Sequence, residues 1–171
     1  MNNEFSNIIL GTGNYANIKK GNTVSITGDG GYAWGYRGPS YKKLAPKLET
    51  YKTYADKKEE LNKLKLDIKE YTKLKQQIED EYIISYYETR LKELNVYELL
   101  EYLEKKYGNE IILLCHEQID EFCHRRLVAD YIELETGLYI PEIEITKDKK
   151  IKKISPIRYK NRLNEVINKS R

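Results

Sequence analysis

The spacing of apolar and polar positions changes along the chain, and each change predicts an element. Near the N-terminus, Asn7 to Leu10 and Thr23 to Thr27 are short apolar or β-branched runs. Each ends in glycine, Gly11-Thr12-Gly13-Asn14 after the first and Gly28-Asp29-Gly30-Gly31 after the second. Such runs predict two strands with permissive loops at their C-terminal ends. From Ser40 to about Asn95 the chain is rich in Lys, Glu, Leu and Tyr and predicts helix, with Pro46 breaking or starting one. Leu61, Leu64, Ile68, Tyr71, Ile78 and Tyr82 form a heptad-like stripe with Lys75 at one seam position. A hairpin packed on the body, a protruding arm and a self-association seam that would make a homodimer all fit this stripe. Val96, Leu99, Leu100 and Leu103 fall at i, i+3, i+4 and i+7 and predict an amphipathic helix that stops at Gly108.

The run Ile111-Ile112-Leu113-Leu114 is continuously apolar, as expected of a central strand buried on both faces of a parallel sheet. After it, Asp120 is placed to cap a helix whose face carries Leu127, Tyr131 and Leu134 and which stops at Gly137. Tyr139 to Ile143 reads as an edge strand, where Pro141 is tolerated, and the last fifteen residues as a short peripheral helix. The expected fold is α/β: a small, mainly parallel sheet flanked by helices, with a long helical hairpin or arm at about 56–92 inserted between the second and third strands. A single domain over 1–145 and a basic tail over 146–171 complete the picture.

Composition narrows this further. A chain of 171 residues with 40% hydrophobic residues suits one domain. With 33% charged residues it holds no apolar run near the roughly 18 residues of a membrane span. The opening MNNEFSNIILGTGN lacks a basic n-region, so the expected location is the cytoplasm, with no membrane partner. The net charge of +3 is uneven: Lys147 to Arg171 holds ten Lys and Arg against Asp148 and Glu165, so a +8 segment sits on a −5 remainder. A basic segment of this kind is a candidate for nucleic-acid contact.

The chemistry is concentrated in Cys115-His116-Glu117-Gln118-Ile119-Asp120-Glu121-Phe122-Cys123-His124-Arg125-Arg126, which holds both cysteines and both histidines of the chain. It lies where the central strand meets the next helix, the edge at which parallel sheets bind ligands. A cysteine-phosphatase loop is excluded, because the residues six after the cysteines are Glu121 and Ala129 rather than arginine. Zinc would find suitable donor types, but Cys-His, six residues, Cys-His is an unfamiliar spacing, and neighbouring side chains of a strand diverge. An anion or nucleotide pocket needs the fewest assumptions: Arg125 and His124 as donors, Glu117 as acceptor, Cys115 nearby, and no metal or other cofactor. Gly11, Thr12, Gly13 and Asn14 belong to the same expected sheet edge, although the dinucleotide fingerprint is absent. In Gly31 to Lys43 aromatics alternate with glycines and cations, so Tyr32, Trp34 and Tyr36 are candidates to stack a base and Arg37 to add a cation beside Asp29.

The run Cys115-x-Glu117, five residues, Cys123-His124-Arg125, then Leu127-Val128-Ala129-Asp130 resembles the signature of family 488 of the domains of unknown function. Gly38-Pro39-x-Tyr41-Lys42-Lys43-Leu44-Ala45-Pro46 and Tyr139-Ile140-Pro141-Glu142 resemble one branch of it, so the likeness covers roughly residues 7 to 143. The resemblance implies an α/β fold and marks Cys115, Glu117, Cys123, His124 and Arg125 as motif positions. Commoner members carry Asp-Val-Arg where this chain has Ser25-Ile26-Thr27-Gly28-Asp29, a difference that Arg37 would have to make good. The functional expectation is a small anionic, nucleotide-derived ligand bound at the sheet's C-terminal edge. If it is cleaved, the reaction would be hydrolytic or glycosidic, with Glu117 or Asp29 as the carboxylate and Cys123 as a candidate nucleophile. The alternatives are a nucleic-acid-associated protein using the basic tail, or a structural zinc or interaction protein.

Overall fold

The computed structural model describes residues 3–171; Met1 and Asn2, with which the reading of the N-terminus begins, lie outside the described residues. Five strands, β1 (Ile9–Asn14), β2 (Asn22–Ser25), β3 (Ile111–Cys115), β4 (Glu142–Ile145) and β5 (Ile151–Ile154), form one sheet in the order β2-β3-β1-β4-β5. The first four are parallel and β5 joins β4 antiparallel. Helices α1 (Leu48–Lys63), α2 (Ile68–Tyr86) and α3 (Val96–Tyr107) lie between β2 and β3, α4 (His124–Thr136) between β3 and β4, and α5 (Lys160–Lys169) follows β5. This is the expected α/β architecture of a mainly parallel sheet with helices between strands. No helix among the described residues is long and apolar enough to cross a membrane.

All five residues of β3 are buried, as a run of Ile and Leu between two parallel neighbours requires. Its alternation divides the core. Ile111, Leu113 and Cys115 join the large cluster built with α2, α3, α4 and α5, whereas Ile112 and Leu114 meet Ile18, Ile143 and Ile145 on the other face. Cys115 is thereby delivered to the helical side.

Several expectations change. Gly11, Thr12, Gly13 and Asn14 are not a loop but most of β1, and the reason is packing. A Cβ on Gly11 would come 2.8 Å from the Pro141 carbonyl oxygen, and one on Gly13 2.7 Å from Ile18 Cγ1. The glycines let β4 and the Ile18 loop close on the strand. The heptad-like stripe is broken between Leu61 and Ile68 by the turn joining α1 to α2. Leu61 and Tyr82 are buried, the latter against Phe122 of the turn after β3, while Leu64 and Ile68 are exposed. Asp67 caps α2 by accepting from the Glu70 amide at 2.8 Å. The hairpin proper starts at Leu48, ahead of the expected boundary, and ends in a π-helical turn at Tyr87–Leu91. Tyr86 and Arg90 tie it to the segment after β2 by donating to the Leu44 and Ala45 carbonyls at 2.5 and 2.6 Å.

Asp120 caps nothing: α4 begins at His124 with Cys123 as its N-cap residue. β4 is an inner strand with Pro141 just before it, and β5 takes the edge. The stretch 146–171 is therefore no tail. It forms β5 and α5, buries Tyr159, Leu163 and Ile167 in the core, and pairs Arg158, Lys160 and Arg162 with Asp130, Glu133, Glu79 and Asp80.

Candidate functional site

A cleft of about 640 Å³ opens at the C-terminal edge of the sheet. Its floor is the turn after β3 and the start of α4, with Glu117, Cys123 and His124. One wall is the loop after β2, with Asp29 and Trp34, and the opposite wall is the hairpin, with Tyr51, Tyr54 and Tyr82. The volume is that of an ordinary small-molecule pocket.

The turn after β3 is held by Arg125, whose Nη1 donates to the Glu117 carbonyl at 2.9 Å. The rest of its guanidinium faces away from the cleft lining, to Glu142. Nε donates at 3.0 and 3.1 Å and Nη2 at 2.7 Å to that carboxylate, and Arg125 is 1% exposed. Thr12 also donates to Glu142, at 2.6 Å, and Arg126 Nη1 donates to Thr12 and to the Ile140 carbonyl. A buried bidentate pair of this kind occupies the fork that a phosphate would need. Arg125 is thus a positioning residue and not a ligand clamp. Thr12 belongs to the same buried network, and Gly11, Gly13 and Asn14 are likewise inside the sheet rather than at the cleft.

Within the floor, His124 Nε2 lies 2.7 Å from the Ile26 carbonyl oxygen, to which it must be the donor. Cys115 Sγ is 3.4 Å from Nε2 and 3.7 Å from Nδ1 of the same ring. The Cys123 thiol donates to Glu117 Oε2 at 3.0 Å. Burial pushes the Cys115 thiol up, but the neighbouring Cys123 thiol and the charge and hydrogen bond of His124 outweigh it and bring the pKa down to about 6. Burial depresses His124, and the Cys115 thiolate more than reverses this, to about 8. Burial, Cys115 and Glu117 all push Cys123 well up. The surroundings thus favour charge on Cys115 and His124 and disfavour it on Cys123.

The loop wall is organised by Asp29. Its Oδ1 accepts from Thr27 Oγ1 at 2.9 Å and the Gly31 amide at 2.8 Å, and Oδ2 accepts from the Ala33 amide at 3.1 Å. Burial opposes ionisation, yet the two amides and the hydroxyl prevail and hold Asp29 below the usual aspartate pKa. Such a carboxylate shapes a loop better than it exchanges protons. Beyond it, Trp34 is 58% exposed and stacks on His116, ring centroids 5.0 Å apart and planes 8° apart. His116 Nε2 lies 3.2 Å from Glu117 Oε1, which links the loop wall to the floor. Tyr32, Tyr36 and Arg37, in contrast, do not line the cleft. Tyr36 is held by Thr23 and the Pro39 carbonyl on the far face, and Arg37 donates to the Tyr32 and Tyr36 carbonyls with its guanidinium over the Tyr32 ring.

The cleft thus unites Asp29, Trp34, Glu117, Cys123 and His124 of the expected set, with Cys115 just beneath. Sequence reasoning missed the hairpin wall and His116. Tyr82 was visible only as one position of a packing stripe, and the neighbours of Tyr54 gave no sign that it would face a ligand site. The family model described as Domain of unknown function DUF488 matches residues 36–132. That span contains the hairpin and the whole floor and leaves β1, β2 and β4 outside. No curated protein and no solved structure matches the chain.

Proposed function

This chain belongs to the family of Domain of unknown function DUF488, and we propose that its cleft binds a nucleotide-derived small molecule, recognised chiefly through a base and a sugar. The observation that carries the reading is the conjunction, in one cleft, of an exposed planar indole with an acceptor carboxylate, Trp34 with Glu117. The indole offers a stacking face and the carboxylate accepts from a ribose hydroxyl or a base amine. No Lys or Arg is among the described residues that line the cleft. A phosphate would meet instead the first turn of α4, where no side chain caps the free amides. If the ligand is cleaved, Glu117 is the carboxylate placed to act.

Trp34 is the only tryptophan of the chain and so reports directly on the cleft. Adenosine, guanosine, cytidine, uridine and their 5′-monophosphates are titrated against its fluorescence, and each mixture is then chromatographed for free base. At least one compound is expected to quench saturably. Glu117→Gln should weaken it about tenfold or more, since a hydrogen bond to a charged group contributes about 1.5–3 kcal/mol. Absence of quenching by every compound up to about millimolar concentration, or equal binding by Glu117→Gln, overturns the reading.

A second reading keeps nucleic acid as a partner, because Lys149, Lys150, Lys152 and Lys153 remain exposed around the edge strand β5. Binding that falls steeply with salt and is lost when these four become glutamate would support it. Lysines also block pairing at exposed sheet edges, and that role predicts no such binding.

A further inference from the structure

At the floor of the cleft Cys115 Sγ, Cys123 Sγ and a ring nitrogen of His124 all lie within 4.8 Å of one another, and all three residues are buried. These are both cysteines and one of the two histidines in 171 residues, brought from a strand end and a helix start to one point. The spacing that looked unfamiliar along the chain is resolved in space. Cys115 points to the helical side of the sheet, Cys123 and His124 begin α4, and His116 is left out, stacked on Trp34.

The dimensions suit a tetrahedral ion. With Zn–S near 2.3 Å and Zn–N near 2.0 Å, sulfur and nitrogen ligands of one zinc lie about 3.5 Å apart. Here Cys115 Sγ lies 3.7 Å from His124 Nδ1. The Ile26 carbonyl can only accept, so His124 Nε2 carries a proton toward it and Nδ1 is the nitrogen left for a metal. A ligating imidazole usually has just this outer contact, which fixes its tautomer and ring plane. Arg125 Nη1, 3.3 Å from Cys123 Sγ, adds a cation next to one sulfur. Two thiolates, a neutral imidazole and tetrahedral geometry select zinc over harder, oxygen-seeking cations.

We propose that Cys115, Cys123 and His124 bind one zinc ion through Sγ, Sγ and Nδ1 at the floor of the cleft, leaving the fourth position to water. Binding takes both sulfurs as thiolates and Nδ1 without its proton, and the displaced protons go to solvent. Cys123 and His124 border the cleft and give the ion its entry path, and Glu117, 3.0 Å from Cys123 Sγ, supplies a carboxylate to accept a proton from the bound water. Three protein ligands with one open position is the arrangement of catalytic rather than structural zinc sites. The inference is independent of the nucleoside reading, because its test uses no nucleoside.

The full chain is stripped with a chelator and dialysed. Zinc is then titrated in competition with a chromophoric chelator, and cobalt(II) is added to a second sample for absorption spectroscopy. One zinc per chain is expected, together with a thiolate-to-cobalt charge-transfer band and tetrahedral visible bands. Cys115→Ser and Cys123→Ser should each weaken zinc by more than the roughly 10–100-fold that loss of an outer-shell partner costs. Glu117→Gln, outside the ligand set, should keep full stoichiometry. Wild-type protein that takes up no zinc at micromolar concentration, a cobalt complex without the thiolate band, or a folded Cys115→Ser variant that binds as tightly as wild type overturns the site. Circular dichroism identifies folded variants, and if neither serine variant folds, the wild-type stoichiometry and cobalt spectrum decide alone.

Discussion

Glu142→Gln separates a structural Arg125 from a ligand-binding one. In the folded chain Glu142 accepts from Arg125 Nε at 3.0 and 3.1 Å, from Arg125 Nη2 at 2.7 Å and from Thr12 Oγ1 at 2.6 Å. The two side chains are 1% and 4% exposed. Glutamine keeps the shape and one acceptor oxygen but removes the charge, leaving a guanidinium buried without its counter-ion. Breaking one partner of a buried pair costs about 3–5 kcal/mol, and because an acceptor survives the lower end, about 3 kcal/mol, is expected. For a chain of this size that lowers the melting temperature by about 6–12 °C. Arg125→Met should cost a similar amount, whereas the double variant Arg125→Met/Glu142→Gln should cost less than the sum by about 1–3 kcal/mol, because nothing charged is then stranded. Urea unfolding at neutral pH, followed by circular dichroism across the cycle, measures each value. A loss below about 1 kcal/mol for Glu142→Gln, or additive single variants, would refute the assignment of Arg125 to the scaffold.

Gly13→Ala places a methyl 2.7 Å from Ile18 Cγ1 and should cost about 1–3 kcal/mol as overpacking, read as a lower urea midpoint with unchanged slope. Removal of residues 146–171 uncovers the seats of Tyr159, Leu163 and Ile167. At about 1.5–3 kcal/mol per buried side chain this approaches the whole stability of a domain, so the shortened chain should unfold without a cooperative transition, and a sharp one near the wild-type midpoint would contradict the packing described for α5. Asp29 has a folded-state pKa below its unfolded value near 3.9. Its contribution to stability is therefore complete above the unfolded value and is lost as pH falls through the folded one. The stability gap between wild type and Asp29→Asn should be present at pH 7 and close in strong acid, and a gap that persists unchanged at pH 2 would count against the loop-capping role.

Those elements whose pattern is set by their own burial were legible in the sequence. The run Ile111 to Leu114, the Val96-Leu99-Leu100-Leu103 face and the stop at Gly137 depend on periodicity and chain punctuation alone. What was misread depends on a distant partner. Gly11 and Gly13 look like turn residues, and only the approach of Pro141, Ile143 and Ile18 shows why a strand needs them. Arg125 looks like a free donor until Glu142, seventeen residues on, is seen to meet it. The apolar positions of α5 are sparse, and Leu163 and Ile167 are hidden among charges that pair with α2 and α4. Within the floor, strand alternation argued against a metal, correctly for Cys115 with His116, yet it carried no information about Cys123 and His124 arriving from the next helix.

The strand order has a kinetic consequence. β1 and β2 are close in sequence but do not touch in the sheet, because β3 lies between them and is made 85 residues after β2 ends at Ser25. Until Ile111 to Cys115 leave the ribosome, neither N-terminal strand has its main hydrogen-bonding partner. The hairpin of α1 and α2, whose two helices pack on each other across a short turn, can form early, whereas the sheet waits for a long loop to close. Cys115 is the last residue of the strand that closes it. The β2-β3-β1 part of the sheet and the Cys115 end of the cleft floor therefore form in one folding event, and a nascent chain that stops short of Cys115 carries neither.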